Sequence, residues 1–444
     1  MAGNDDARLT IHHRRRARRL AYWNGGIWAV GNGLASTTLV VYLALDLDAK
    51  GIGLGIGMIL AARHVVGLLR LGAPAMIDRL VDRKRFCLAS FLLGTLLLLA
   101  LPTVAAPGRL PSAVASLWAL VGLWCAYHLM QYLAVVALWS WIADLVPVEI
   151  RGRFLGRRER WMVAGQAASM LAGGLFVWGW QGLHPAQPRW IAYVMTATLG
   201  GSLMIAALVP LALIPPMARS RTVRRGATLQ SILAPFSDAR FLRLLLFGCW
   251  FSLSNGLTQS AQYSYPKQVL GLILFALLAM QTGMRLGQLT VSPWLGRLAD
   301  RVGNRPVMLG CLLLVAQGPL FFLFATPDQR WWIVGAWVVW IAYAGINVCL
   351  PNLMLKLSPG QSNAPYIATF YAVTGLCYAA NTILGGALFD RLGDWTGTCL
   401  GVELDYYRLI FLLGWIARSF GLVLLWLVIE ERGRRQGAST GKAG

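Results

Sequence analysis

Charge is scarce in this chain. Only 13% of its 444 residues are Asp, Glu, Lys or Arg, against about 25% in an ordinary globular protein. Acid is scarcer still, with 18 Asp and Glu against 40 Lys and Arg. No acid falls in the middle of a long apolar run, and Asp144 is the deepest. That leaves no membrane carboxylate for cation binding or proton exchange. The 7 cysteines are scattered without a CxxC spacing, so neither a disulfide framework nor a metal site is read. Gly441-Lys442 has the look of a phosphate loop's end. Gln436 occupies the first glycine position, however, Ala443 stands where Ser or Thr is needed, and no strand precedes it. No ATP motor, cofactor motif or catalytic constellation is present, so the chain does not read as an enzyme.

What the chain has instead is apolar length. It is 57% hydrophobic, and stretches of the roughly 20 residues needed to span a bilayer recur throughout. Twelve are expected, at about Leu20–Leu47, Ile52–Ile77, Phe86–Ala106, Ala113–Val146, Trp161–Leu183, Trp190–Ile214, Leu242–Pro266, Leu270–Leu295, Val307–Ala325, Trp331–Leu357, Tyr366–Phe389 and Leu409–Ile429. The longest internal gap divides them six and six. The expected layout is a basic tail over 1–19, a six-helix bundle over 20–214, a cytoplasmic linker over 215–241, a second bundle over 242–429 and a tail over 430–444. The first span is too long for a signal peptide and lacks a cleavage site.

The net charge of +22 would suggest nucleic acid in a soluble protein, but topology explains it better. Arg8, Arg14, Arg15, Arg16, Arg18 and Arg19 precede the first span and place the N-terminus in the cytoplasm. Lys and Arg then divide into 27 cytoplasmic, 7 external and 6 within spans. That bias supports an even span count with both termini inside. The basic tail also suits anionic membrane lipid. No nucleic-acid partner is read. No organelle-targeting signal is evident, and a bacterial inner membrane is the expected location.

A loop motif recurs half the chain apart. One copy holds Pro74, Asp78, Arg79, Arg83, Lys84 and Arg85. The other holds Gly296, Asp300, Arg301, Gly303 and Arg305. Asp300 lies 222 residues after Asp78, and Arg285 lies 222 after Arg63. An internal repeat between membrane spans makes two halves with a pathway between them. The second copy fits the pattern Gly-x-x-x-Asp-Arg/Lys-x-Gly-x-Arg/Lys throughout. The first departs from it at Pro74 and Val81. With Asp144-Leu-Val-Pro147 through Arg151-Gly152 after span four, these motifs resemble the major facilitator superfamily over essentially the whole chain. The resemblance implies an all-α membrane fold of twelve helices in two pseudo-symmetric six-helix bundles, acting as a monomer. It also implies a cytoplasmic gate in which Asp78 approaches the start of span eleven near Pro365-Tyr366. Asp78, Arg79, Arg83, Asp144 and Arg151 would form one side of that gate, and Gly296, Asp300, Arg301 and Arg305 its repeat.

Ionisable residues deep in a bilayer are expensive, so each is a candidate site. They are Arg63 and His64 in span two, His128 in span four, Arg285 in span eight and Arg418 in span twelve. None has an obvious carboxylate partner. Arg63 and Arg285, at repeat-equivalent positions, would offer two guanidinium forks to one small anion. The arrangement is similar to that of nitrate/nitrite porters of the superfamily, although their glycine-rich signatures in spans five and eleven are missing. His128, then His64, is the proton-responsive candidate. The resemblance implies that spans one, four, seven and ten line the cavity. There the chain places Asn32, Gln131, Asn255, Gln259, Tyr343 and Asn347. Asn255, Gln259 and Gln262 share one helical face.

The function expected is therefore a secondary transporter that moves a small solute by alternating access, leaning toward an anion. One alternative is proton-coupled efflux of lipophilic compounds, weakened by Ser169-Met170 at the Gly-Pro position of the signature in span five. The other is a non-transporting membrane receptor or scaffold.

Overall fold

The computed structural model describes residues 11–72, 82–106, 108–145, 148–215, 229–359, 363–399 and 402–428. Side chains are described for these except at 11–14, 70, 143–145, 148–153, 229–232, 363–364, 399 and 402–403. Asp78 and Arg79 thus lie outside the described residues, as do the side chains of Asp144 and Arg151.

The chain is an all-α membrane bundle. Eleven described helical segments are long and apolar enough to cross a bilayer: Arg15–Leu45, Ile52–Leu69, Arg83–Ala105, Ala113–Ile142, Phe154–Leu183, Arg189–Ala212, Ala239–Gln268, Asn304–Phe324, Trp332–Leu357, Pro365–Leu392 and Tyr406–Trp426. The expected span eight is a helix of 29 residues, Leu274–Val302. It is long enough, but Gln281, Arg285, Gln288, Arg297, Asp300 and Arg301 make it too polar to stand with the other eleven. A helix of that composition must face protein or water on one side.

Some boundaries differ from the sequence expectation. The first helix starts at Ile11 and runs through the basic segment expected as a tail. It breaks at Ser36, whose hydroxyl caps a second helix, Thr37–Leu45, by accepting from the Leu39 amide at 3.3 Å. The expected linker holds a short helix, Leu229–Ser237, packed on spans seven and eleven. The loop before span twelve holds an antiparallel hairpin, Thr396–Cys399 with Val402–Asp405.

Several of the few acids sit at helix starts, where a carboxylate satisfies free backbone amides and complements the helix dipole. Asp82 accepts from the Arg85 amide, Asp238 from those of Arg240 and Phe241, and Asp405 from that of Arg408. In the second motif copy, Gly303 has φ +101°, a backbone that side chains rarely adopt. That bend turns the chain into span nine, and Arg305 then donates to the Trp426 carbonyl at the end of span twelve.

The C-terminal half has one continuous apolar core, built around Phe241, Met308, Phe322, Cys349 and Phe411. The N-terminal half has two. One surrounds Leu39, Leu117, Trp124 and Met204 and also takes in Leu274, Leu277 and Leu278 of span eight. The other surrounds Cys87, Ala134, Trp141 and Leu211. Leu199, Val209, Leu313 and Trp178 are each more than half exposed, as expected of a surface that faces lipid.

Glycines bring the halves together along spans two and eleven. A Cβ at Gly386 would lie 2.1 Å from the Gly53 carbonyl oxygen, and one at Gly57 would lie 2.8 Å from that of Thr382. Small residues permit such approach where lipid supplies no hydrophobic drive between helices. The paired glycines of span five divide their faces. Gly173 packs on span one at Leu34, and Gly174 packs on Phe275 of span eight.

This packing predicts that Gly386→Val lowers the melting temperature of detergent-purified protein, reflecting about 1–3 kcal/mol of overpacking. Gly122→Ala, where a Cβ meets nothing within 4 Å, should leave it unchanged. Equal melting of the two variants would contradict a backbone-to-backbone contact at spans two and eleven.

Candidate functional site

Half-buried polar residues between the halves form a connected line. Arg285 of span eight donates from Nη1 to Gln166 Oε1 of span five at 2.7 Å. Gln166 Nε2 donates to Asn32 Oδ1 of span one at 3.0 Å. Asn32 Nδ2 donates to the Tyr127 hydroxyl of span four at 3.2 Å. One guanidinium in the C-terminal half is thereby tied to three helices of the N-terminal half. The break at Ser36 and the tight fit of Gly33 on Ser169, where a Cβ would lie 2.0 Å from the hydroxyl oxygen, hold spans one and five close enough for it.

A second group adjoins this line. Arg63 Nε donates to His64 Nε2 at 3.0 Å, and the His64 ring lies 4.1 Å from that of Tyr378 in span eleven. His128 lies within electrostatic reach of Arg63, its ring 4.6 Å from Trp124 and 5.1 Å from Tyr127. Arg285 lies within electrostatic reach of both Arg63 and Tyr263. The two repeat-related arginines are thus within electrostatic reach of each other at the interface of the halves. Arg63 is exposed, and its neighbours stand on spans four, eight and eleven. Its exposure is therefore to the space between the halves.

A third group lies within the C-terminal half. The Tyr343 hydroxyl donates to Asn255 Oδ1 at 2.6 Å. Arg418 Nη2 donates to the Thr258 hydroxyl at 2.6 Å, and Gln262 Nε2 donates to the same oxygen at 2.9 Å. Tyr343 and Tyr378 are within electrostatic reach of Arg418. Tyr378 is also within reach of Arg63, so it connects the second and third groups.

Other candidates fall elsewhere. Gln131 is buried against Gly94 of span three, and neither of its amide atoms has a hydrogen-bond partner. Gln259 is half-buried and Asn347 is exposed. Arg83 donates to the Ser140 carbonyl and hydroxyl in its own half. Arg305 lies against Trp426 in its own half, its guanidinium 5.8 Å from the ring centroid.

Gln166 and Tyr378 were not singled out in the sequence. The rule that polar groups in a membrane face protein or water would have found Gln166. Gln166 stands on span five, outside the four spans that the resemblance implies line the cavity. Tyr378 stands on span eleven.

The interface also carries a cluster of contacts at the end of the bundle that holds the loop between spans one and two. Asp390, at the end of span eleven, accepts from the amides of Gly53 and Leu54, each at 2.8 Å. An acid of one half thereby caps the opening of span two in the other. Lys267 pairs with Asp46 and donates to the Tyr42 carbonyl at 2.8 Å. The Tyr42 hydroxyl donates to the Leu272 carbonyl at 3.2 Å.

Comparison with known proteins agrees with this architecture. Residues 268–444 match the Major Facilitator Superfamily. The chain superposes on the nucleoside transporter NupG with a TM-score of 0.67 at 15% identity, covering 94% of this chain and 100% of that one. It superposes on a bacterial homolog of the human lysosomal transporter Spinster, in an inward-facing and unoccupied conformation, with a TM-score of 0.66 at 12% identity, covering 94% and 97%. Autophagy-related protein 22 of Gibberella zeae is 26% identical over 223 residues, which are 46% of this chain and 32% of that protein. The chain therefore spans about a third of that relative's length. The chain has the fold of the major facilitator superfamily transporters over 94% of its length, and residues 268–444 match that superfamily by sequence.

The line of hydrogen bonds makes Gln166 its junction. Gln166→Leu should lower the melting temperature, because it strands Arg285 and Asn32, each loss being about 1–3 kcal/mol for a buried polar group. Gln166→Glu, which keeps an acceptor for Arg285, should retain most of the stability. An unchanged melting temperature for Gln166→Leu would contradict the junction.

Proposed function

We propose that this protein is a secondary transporter that moves a small anionic solute across the membrane by alternating access. The observation that carries this reading is the hydrogen bond by which Arg285 of one half is held on the neutral Gln166 of the other, with Arg63, itself held on the neutral His64, within electrostatic reach. Neither pairs with a carboxylate among the described residues; their hydrogen bonds go to His64 and Gln166. A cation drawn partly out of water, as Arg285 is, gains from a counter-ion, and a guanidinium fork is matched to a carboxylate or phosphate. The solute's anion would supply the missing partner. Trp124, Tyr127, Tyr263 and Tyr378 around them would give it an apolar and aromatic surrounding.

The proposed cycle turns on the end contacts. With the N-terminus in the cytoplasm, the cluster of Asp390, Lys267, Asp46 and Tyr42 stands on the external side. It would act as the external latch that holds the halves together while the other side opens. The gate read in Asp78, Arg79, Asp144 and Arg151 would take its place in the opposite state. Rocking of one half against the other around a fixed site then carries the solute across. The excess of Lys and Arg in the cytoplasmic loops supports this sidedness.

Two outcomes test the reading. In detergent-purified protein, small carboxylates and phosphate should raise the melting temperature, by roughly 2.7 kcal/mol of linkage at 100 times the dissociation constant. Arg63→Gln and Arg285→Gln should each abolish that rise while remaining folded. Stabilisation by lipophilic cations or neutral sugars alone would sink the anion reading. Separately, Asp390→Asn should weaken the external latch and increase labelling of a cysteine placed at Gln166 by an external membrane-impermeant thiol reagent. Labelling equal to that with Asp390 intact would remove Asp390 from the latch.

A further inference from the structure

Arg418 is the most deeply buried cation among the described residues, at 1% exposure. Its Nη2 is used by Thr258, but Nε and Nη1 have no acceptor. The ring of Trp340 lies under the guanidinium, 6.0 Å from centroid to Cζ, and Trp340 Nε1 is also a buried donor without an acceptor. A structural arginine in a helical bundle normally finds backbone carbonyls, since leaving its charge and its N–H groups unmet in an apolar interior is costly. The fold itself does not require a cation here. The repeat-equivalent position, 222 residues earlier, is Thr196 in span six. There the hydroxyl simply bonds back to the Ala192 carbonyl.

The neighbours of Arg418 tie it to the site between the halves. Tyr378 is within electrostatic reach of both Arg418 and Arg63, and Tyr343 is within reach of Arg418. Arg63 and Arg418 therefore both lie within reach of Tyr378, with Arg285 within reach of Arg63, and none of the three pairs with a carboxylate among the described residues. A singly charged solute would leave most of that charge unbalanced.

We propose that Arg418 is a second anion-binding position, taking a carboxylate or phosphate oxygen on Nε and Nη1, so that the solute carries two anionic groups: one for Arg63 and Arg285, one for Arg418. This rests on the anion reading above and narrows it to doubly anionic organic solutes. Arg418 then acts as a specificity residue. It is closed off in this conformation and is reached as the C-terminal half rearranges around the bound solute.

The test is a matched pair on the full chain in detergent, read as apparent affinity from thermal stabilisation. Succinate and butyrate have the same carbon length and differ in the second carboxylate. Wild type should bind succinate at least about tenfold more tightly, the worth of one charge-assisted hydrogen-bonded contact. Arg418→Gln should reduce succinate to the level of butyrate while leaving butyrate unchanged. Arg418→Lys, which keeps the charge in a similar volume but loses the fork, should retain part of the preference. A series from malonate to adipate should show an optimum length in wild type that disappears in Arg418→Gln. The proposal is overturned if wild type shows no preference for the dicarboxylate at any length, a result that needs no variant to fold. A preference that survives Arg418→Gln overturns it as well. In either case the anion reading stands provided both acids still stabilise wild type and lose that effect in Arg285→Gln. If no anion stabilises wild type, both readings fall together.

Discussion

Positive charge held inside an apolar bundle without a carboxylate to meet it is the constraint on which the rest depends. An apolar interior penalises a bare guanidinium heavily, and nothing in the hydrocarbon surroundings can relieve it. The molecule responds with neutral acceptors. Gln166 serves Arg285, His64 serves Arg63 and Thr258 serves Arg418. Neutral acceptors position a cation without cancelling its charge. An acid in any of those places would tie the arginine down and raise the competition against an incoming anion. The use of amide, imidazole and hydroxyl groups keeps the electrostatic attraction available to a solute.

The scarcity of acid is the other side of the same arrangement. Asp46 pairs with Lys267; Asp82, Asp238 and Asp405 cap free amides at helix starts, and Asp390 does so across the boundary between halves. A contact of that kind has two properties that suit a moving interface. It is strong enough to hold when dry, because a carboxylate on two backbone amides makes charge-assisted hydrogen bonds. It also breaks without leaving either partner stranded, because both lie at the solvated end of the bundle. The glycine contacts of spans two and eleven complement it. Backbone-to-backbone packing at Gly53, Gly57 and Gly386 lets two helices slide or part without extracting interlocked side chains.

Much of this was legible in the sequence. Apolar length, basic asymmetry and the repeated loop were enough for the all-α membrane architecture and the fold of the superfamily. The 222-residue offset pointed to Arg63 and Arg285, which the fold brings within electrostatic reach of each other. Span eight was read as an apolar stretch at about Leu270–Leu295, although its polar face sets it apart from the other spans. What was not legible depends on which faces of neighbouring helices meet. Gln166 is one amide in an otherwise small-residue stretch of span five, and its role exists only because Gly33 and Ser169 bring spans one and five together. Tyr378 belongs to a helix not expected to line the cavity. The pairing of Asp390 with span two joins residues 337 positions apart through no local pattern. The short hairpin before span twelve, by contrast, sits in a loop rich in Gly and Thr, where period-two alternation over four residues is too brief to read.

The most direct measurement is solute flux into proteoliposomes reconstituted with the full chain, comparing labelled phosphate and succinate with a neutral sugar and with protein-free vesicles. The account predicts saturable flux of an anion, above the protein-free background and absent for the sugar. Flux of the neutral sugar with none for either anion would contradict the claim that the unpaired arginines between the halves await an anionic solute.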